Sequence, residues 1–255
     1  MGTDATPGAF LKLNIGSGTA PPQDGWHNCD LTPGPYVDTV FSADSDIWPY
    51  PDDSIAEIYL CHVLEHLRHP FHFFKEAFRV LIPNGTILIR VPYGGHHAAW
   101  WDLTHVQPYF AETFCFLQPG YERATGNPQH QTPSYAFGVQ TVQMRLSMKL
   151  AAMMRHWWWR MLFARHSWLF DREIEELWVH IFALKTDEAQ QYYLKDHPAN
   201  VVAAEFCAWK HHLNPKSKLP DDGHSAIMVS LGSGVAVNGL STAWSRGRSS
   251  GCAAS

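Results

Sequence analysis

Apolar positions in the first ninety residues come in short runs rather than long stripes. In "FLKLNI" (10–15), Leu11, Leu13 and Ile15 alternate with polar neighbours, and the run stops at Gly16. A period of two closed by glycine predicts a strand ending in a turn. "WHNCDL" (26–31), "VDTVFSA" (37–43), "AEIYLCHV" (56–63) and "TILIRVP" (86–92) read as four further strands. Between the last two, "FHFFKEAFRVL" (71–81) repeats apolar residues at three and four steps and predicts a helix; "PNG" (83–85) predicts a turn. Strands alternating with helices and turns predict an α/β domain with a largely parallel sheet covered on both faces.

Beyond residue 92 the pattern loosens. Residues 93–135, rich in Gly, His, Pro and aromatics, predict a long active-face loop with short helices. "FGVQTVQMRL" (137–146) reads as a strand running into a helix, 145–170 as helical, "ELWVHIFALKT" (176–186) as a late strand, and 188–213 as helical. From about Ser230 the chain is rich in Gly, Ser and Ala, and a disordered tail is expected. This divides the chain into an N-terminal extension (1–9), one domain (10–187) with a helical insertion at about 145–172, a C-terminal helical extension (188–229) and the tail (230–255).

Composition narrows the class. With 45% hydrophobic and 17% charged residues in 255, the chain has a globular composition and room for a sizeable core. A net charge of −5 gives no nucleic-acid signal. The five cysteines form no CxxC pair, which suits a reducing compartment. The N-terminus lacks the basic and apolar regions of a signal peptide, and no apolar run is long enough to span a membrane, so a cytoplasmic protein without a transmembrane segment is expected.

The candidate chemistry begins at "LNIGSG" (13–18). Glycines after a strand let backbone N–H groups approach a ligand closely. The third glycine of a pyrophosphate cradle is absent, because Pro21 and Pro22 stand there. The short link through "PPQDG" to Asp30 leaves no room for a full first helix, which disfavours a nicotinamide-dependent oxidoreductase. Asp30, at the end of the second strand, suits a ribose diol, and Asp44 in "SADS" (42–45) suits an adenine amine. Taken singly, each glycine or carboxylate also fits an ordinary turn or a solvated loop.

The ordered set has a family likeness. "LNIGSG" (13–18), "ADSDIWPYPDDSIAEIYLCHVLEHL" (43–67), "RVLIPNGTILIRVP" (79–92) and "DLTHVQPYFAETF" (102–114) together resemble the class I S-adenosylmethionine (SAM)-dependent methyltransferases. The resemblance implies a Rossmann-like fold with a seven-stranded, mostly parallel sheet in the order 3-2-1-4-5-7-6, strand 7 antiparallel, and helices on both faces. It also implies that SAM is held by Asn14, Gly16, Ser17, Gly18, Asp30, Leu31, Ala43, Asp44, Ser45 and His62. The chain departs from the family pattern at Asn14, where an acid is usual, and in "PNG", where "PGG" is usual.

Histidines raise further possibilities. His62, Glu65 and His66 stand at i, i+3 and i+4, a spacing that on a helix could bind metal or do acid/base work. The preferred reading is that Glu65 and His66 begin and position a helix. His96, His97 and His105 match no tight ligand spacing, so no metal site is expected. His105, with Asp102 three residues before it, is the candidate catalytic base. In the Trp-rich stretch, Arg145, Lys149, His156 and Arg160 would share one helical face, giving a packed amphipathic helix, an acceptor lid, a homodimer surface or a helix that binds a membrane surface. The expected function is methyl transfer from SAM to a small-molecule or sugar-type acceptor; the alternative is a non-catalytic binding module of the same fold.

Overall fold

The computed structural model describes residues 10–21, 23–121, 134–196 and 229–232. Its strands are β1 (Leu11–Ile15), β2 (His27–Asp30), β3 (Thr39–Val40), β4 (Ile55–Cys61), β5 (Leu81–Pro92), β6 (Phe137–Leu146), β7 (Ile174–Ala183) and β8 (Val229–Gly232). They form one sheet in the order β3-β2-β1-β4-β5-β7-β6-β8. The first five strands pair in parallel, β7 lies antiparallel between β5 and β6, and β8 pairs antiparallel with β6. The expected seven-strand order is therefore present, with an eighth strand added at its edge.

The order reverses between β1 and β4. The chain runs outward through β2 and β3, returns, and continues the other way through β4 and β5. An α/β sheet opens a crevice beyond the carboxyl ends of its strands at such a reversal. β1 and β4 sit side by side there, with Leu13 opposite Ile58 and Ile15 opposite Leu60. All four side chains are buried.

The connection from β4 to β5 holds α1 (Pro70–Val80), whose Phe73, Phe74, Ala77 and Val80 face the core. Proline in the first turn suits a helix start, since its missing N–H would be unpaired there anyway. The connections from β1 to β2, β2 to β3 and β3 to β4 hold no helix among their described residues. Aromatic loop residues fill that space. Trp48, between β3 and β4, is 1% exposed and packs on Phe41 and on Phe73 of α1, with ring centroids 5.4 and 5.3 Å away. Its backbone N–H donates to Glu76 Oε2 at 2.8 Å, and Arg79 donates to the same carboxylate and to the carbonyls of Trp48 and Tyr50. One polar turn of α1 thus clamps the loop that stands in for a helix.

Four expectations change. The third strand shrinks from 37–43 to Thr39–Val40: the Asp38 N–H donates to the Asn28 carbonyl, but the Asn28 N–H is taken by the Asp38 carboxylate, so a side chain replaces a backbone partner at that end. The "PNG" turn is instead an irregularity inside β5: Asn84 has φ 61°, and the register with β4 slips between Ile55 and Glu57. The single helix over 145–170 becomes two, α2 (Met148–Met153) and α3 (Trp157–Arg165), and Arg145 belongs to β6. The basic face expected of one continuous helix therefore does not exist. The tail boundary at residue 230 also fails, since Ser230 pairs with Gln143 in β8; residues 233–255 and 197–228 lie outside the described residues. The start of the expected C-terminal helical extension coincides with α4 (Asp187–Asp196).

Phe73→Ala tests the aromatic filling. Phe73 is fully buried against Trp48 and Phe74. Its loss is expected to cost about 3–5 kcal/mol in chemical denaturation, within the range for large-to-small core changes.

Candidate active site at the carboxyl ends of the strands

The turn after β1 is shaped by Gly16 (φ 71°) and Gly18 (φ 55°), both in the left-handed region that glycine enters without penalty. The N–H groups of Gly16 and Ser17 donate to the Cys29 carbonyl at 2.8 and 3.0 Å, which fixes the turn to β2. A Cβ on Gly16 would lie 2.1 Å from Val63 Cγ2, so the turn packs directly against the end of β4. A Cβ on Gly18 would meet nothing within 4 Å, so that side of the turn is open. The Ser17 hydroxyl is buried and has no hydrogen-bond partner among the described residues.

Asp30 closes the mouth of this turn. Its Oδ2 accepts the Gly18 N–H at 2.8 Å and its Oδ1 the Thr32 N–H at 2.9 Å. Each oxygen keeps a lone pair for a further donor. Leu31 beside it is 70% exposed, an apolar face at the edge of the crevice. An open turn, an orphaned hydroxyl and a carboxylate with spare acceptor capacity fit the methionine and ribose portion of SAM.

The other expected contacts are placed less directly. Asn14 donates its amide to Asn28 Oδ1 at 2.9 Å and so ties β1 to β2. Ala43 is buried, and its carbonyl receives the Trp48 indole N–H. Asp44 accepts the backbone N–H groups of Arg68 and His69, both at 3.0 Å, just ahead of α1. Ser45 N–H donates to the Ser42 carbonyl, which closes the turn around Asp44. Asp44 thus joins the loop after β3 to the start of α1, and retains acceptor capacity in doing so.

His62 ends β4 in a left-handed conformation, φ 54°. Its Nδ1 lies 3.1 Å from Glu65 Oε1 and its Nε2 3.2 Å from Glu176 Oε1. Two carboxylates accept from the two ring nitrogens, so the ring carries both protons. Hydrogen bonds to Glu176 and then Glu65 outweigh burial and push the His62 pKa up to about 9. Burial alone would raise Glu176, but hydrogen bonds from His62 and the Arg90 charge hold it well below the usual carboxylate range. Glu176 also accepts from Arg90 at 2.9 Å, the Trp178 indole at 2.9 Å and Arg145 at 3.3 Å. No motif marked Glu176; the one available signal was a carboxylate in the apolar strand pattern of "ELWVHIFA".

His105 and Asp102 lie on the loop after β5, tied to the His62 turn by a hydrogen bond from Val106 N–H to the Glu65 carbonyl at 2.8 Å. The His105 N–H donates to the Asp102 carbonyl at 3.2 Å, but the two side chains are not hydrogen-bonded: His105 Nε2 is 3.8 Å from Asp102 Oδ2, beyond normal reach. Asp102 Oδ1 instead accepts the Thr104 N–H and O–H, which lowers its pKa. The structure brings His105 against His66, with ring centroids 4.7 Å apart.

His62 gives a pH prediction. A histidine with a folded pKa of about 9 and an ordinary unfolded value near 6.5 stabilises the fold fully below that unfolded value. That contribution is lost as the pH rises through about 9. Glu176→Gln is expected to bring the His62 pKa, read by NMR titration, back toward its ordinary value. It is also expected to destabilise the protein by about 3–5 kcal/mol, because Arg90 is left as a buried charge without its partner.

Residues 28–89, from β2 to β5, match the model of a methyltransferase domain. No curated protein sequence matches the chain. Among solved structures it is similar to a SAM-dependent methyltransferase from Archaeoglobus fulgidus, at 14% identity and TM-score 0.45, covering 69% of this chain and 86% of that one. It is also similar to a putative methyltransferase from Bacillus halodurans, at 12% identity and TM-score 0.41, covering 70% and 94%. A third is a SAM-dependent methyltransferase from Thermotoga maritima described as a possible histamine N-methyltransferase, at 14% identity and TM-score 0.41, covering 70% and 83%.

Proposed function

We propose that this chain, whose residues 28–89 match a methyltransferase domain, is a class I SAM-dependent methyltransferase that moves a methyl group from SAM to a nucleophilic atom on a small-molecule or sugar-type acceptor. The observation that carries this reading is the turn at Gly16–Gly18, where the Asp30 carboxylate meets the Gly18 N–H beside the unpartnered Ser17 hydroxyl. When bound, SAM supplies a methyl carbon already activated by its sulfonium. The chain's own residues then need to bind, orient and exclude water.

In this reading Gly16, Ser17 and Gly18 form the floor under the methionine, and Asp30 accepts from the ribose hydroxyls. Leu31 covers one face of the cofactor, and Asp44 with Ser45 borders the adenine. His62 closes the methionine end. Its charge is balanced by Glu65 and Glu176, so the turn does not oppose a sulfonium as a lone cation would. The helical insertion between β6 and β7 presents the exposed Trp157, Trp158 and Met161, a surface suited to an acceptor lid.

Calorimetric titration with SAM tests the cofactor assignment. Asp30→Ala removes a charge-assisted acceptor worth about 1.5–3 kcal/mol and is expected to weaken SAM about ten- to a hundredfold. Unchanged affinity in the folded variant overturns the assignment.

A further inference from the structure

We propose that Glu65, His66 and His105 form a site for one borderline divalent cation of the Zn²⁺ or Fe²⁺ type, beside the His62 turn. One ligand atom from each residue lies within 4.8 Å of those of the other two. Sequence spacing did not reveal the site because His105 stands on a different loop. The Val106 N–H to Glu65 carbonyl bond and the Tyr109 hydroxyl to Leu64 carbonyl bond bring that loop to the end of β4.

Three features distinguish this cluster from an incidental meeting of polar side chains. The first is Glu65, which is 2% exposed and whose Oε1 faces His62, while its Oε2 has no hydrogen-bond partner among the described residues. A buried carboxylate oxygen left bare is costly, and a cation would satisfy it.

The second is the tautomer of each imidazole. The Thr104 hydroxyl has one proton and gives it to Asp102 Oδ1 at 2.7 Å. It can therefore only accept from His66 Nδ1, 3.0 Å away, which places the His66 proton on Nδ1. His105 Nδ1 lies 3.3 Å from the Ala99 carbonyl, which can only accept, so its proton also sits on Nδ1. In its neutral form each ring then keeps its lone pair on Nε2. A ring N–H held by an oxygen acceptor while the other nitrogen is free is the arrangement that orients metal-binding histidines.

The third is the donor set itself. Two imidazole nitrogens and one carboxylate suit Zn²⁺, Fe²⁺ or Co²⁺ better than Mg²⁺ or Ca²⁺, which take oxygen ligands. Metal–ligand bonds of about 2.1 Å in a tetrahedron put ligand atoms roughly 3.4 Å apart, so a bound cation would draw the three side chains closer together. Three protein ligands leave at least one position for water or a ligand oxygen. Under the methyl-transfer reading, on which this clause rests, that position favours an acceptor bearing a hydroxyl.

Metal-stripped full-length protein titrated with Co²⁺, followed by visible absorption, and with Zn²⁺, followed by calorimetry, tests the site. One equivalent is expected to bind with the d–d bands of a low-coordinate cobalt centre. Thr104→Val, an exposed change that removes the acceptor orienting His66, is expected to weaken binding 10–100-fold. Glu65→Gln and His105→Ala are expected to abolish it, and His97→Ala to leave it unchanged. Absence of saturable binding, or binding indifferent to Thr104→Val and His105→Ala, overturns the site. SAM titrated into the same stripped protein reads the methyltransferase assignment separately, because its proposed contacts include none of the three ligands.

Discussion

Glu176 holds the two halves of this sheet to one another at the level of the crevice. It stands on β7, the strand that enters late and antiparallel, yet its partners come from the end of β4 (His62), from β5 (Arg90) and from β6 (Arg145). A carboxylate this deeply placed is tolerable only while cations surround it. It therefore dictates the charge of His62, the seat of Arg90, which also lies 4.4 Å over the Trp178 ring, and the register of β7 against β5. The positive φ of His62 belongs to the same constraint: the left-handed turn lets one ring meet carboxylates from two different elements.

The glycine turn and this ion cluster are neighbours where β1 meets β4. Gly16 joins them physically, because the space where its side chain would stand is taken by Val63, the neighbour of His62. Bulk at Gly16 would thus disturb both the glycine turn and the conformation that delivers His62 to its carboxylates. Asp30 and Asp44 do similar joining work at the β2 and β3 ends, each holding two backbone N–H groups while keeping acceptor capacity.

Local chemistry was legible in the sequence wherever its partners are local. The β1 strand, the glycine turn and α1 came from short-range pattern, while the strand order came only from the family likeness. The absent first crossover helix followed from the prolines at 21 and 22. Glu176 escaped because its meaning depends on His62, 114 positions earlier. The cation cluster escaped for the same reason, since Glu65 and His105 meet only through loop packing. The Trp-rich segment misled in another way. Its apolar spacing suits a helix, but Arg145 is held in β6 by Glu175 and Glu176, and the chain turns at Met154–His156 before helix resumes. Tertiary ion pairs overrode a periodic signal that was real but interrupted.

The antiparallel insertion of β7 also bears on how the chain is made. β5 is a twelve-residue strand with alternate side chains buried, and its neighbour on one side is β4, already synthesised. Its other edge pairs only with Ile174–Ala183, about eighty residues later. During synthesis at about 5–20 residues per second, that edge stays open for several seconds. An open apolar strand edge is a template for pairing with other chains. A nascent chain of this protein therefore has a defined interval of vulnerability, which ends when Glu176 leaves the ribosome and meets Arg90.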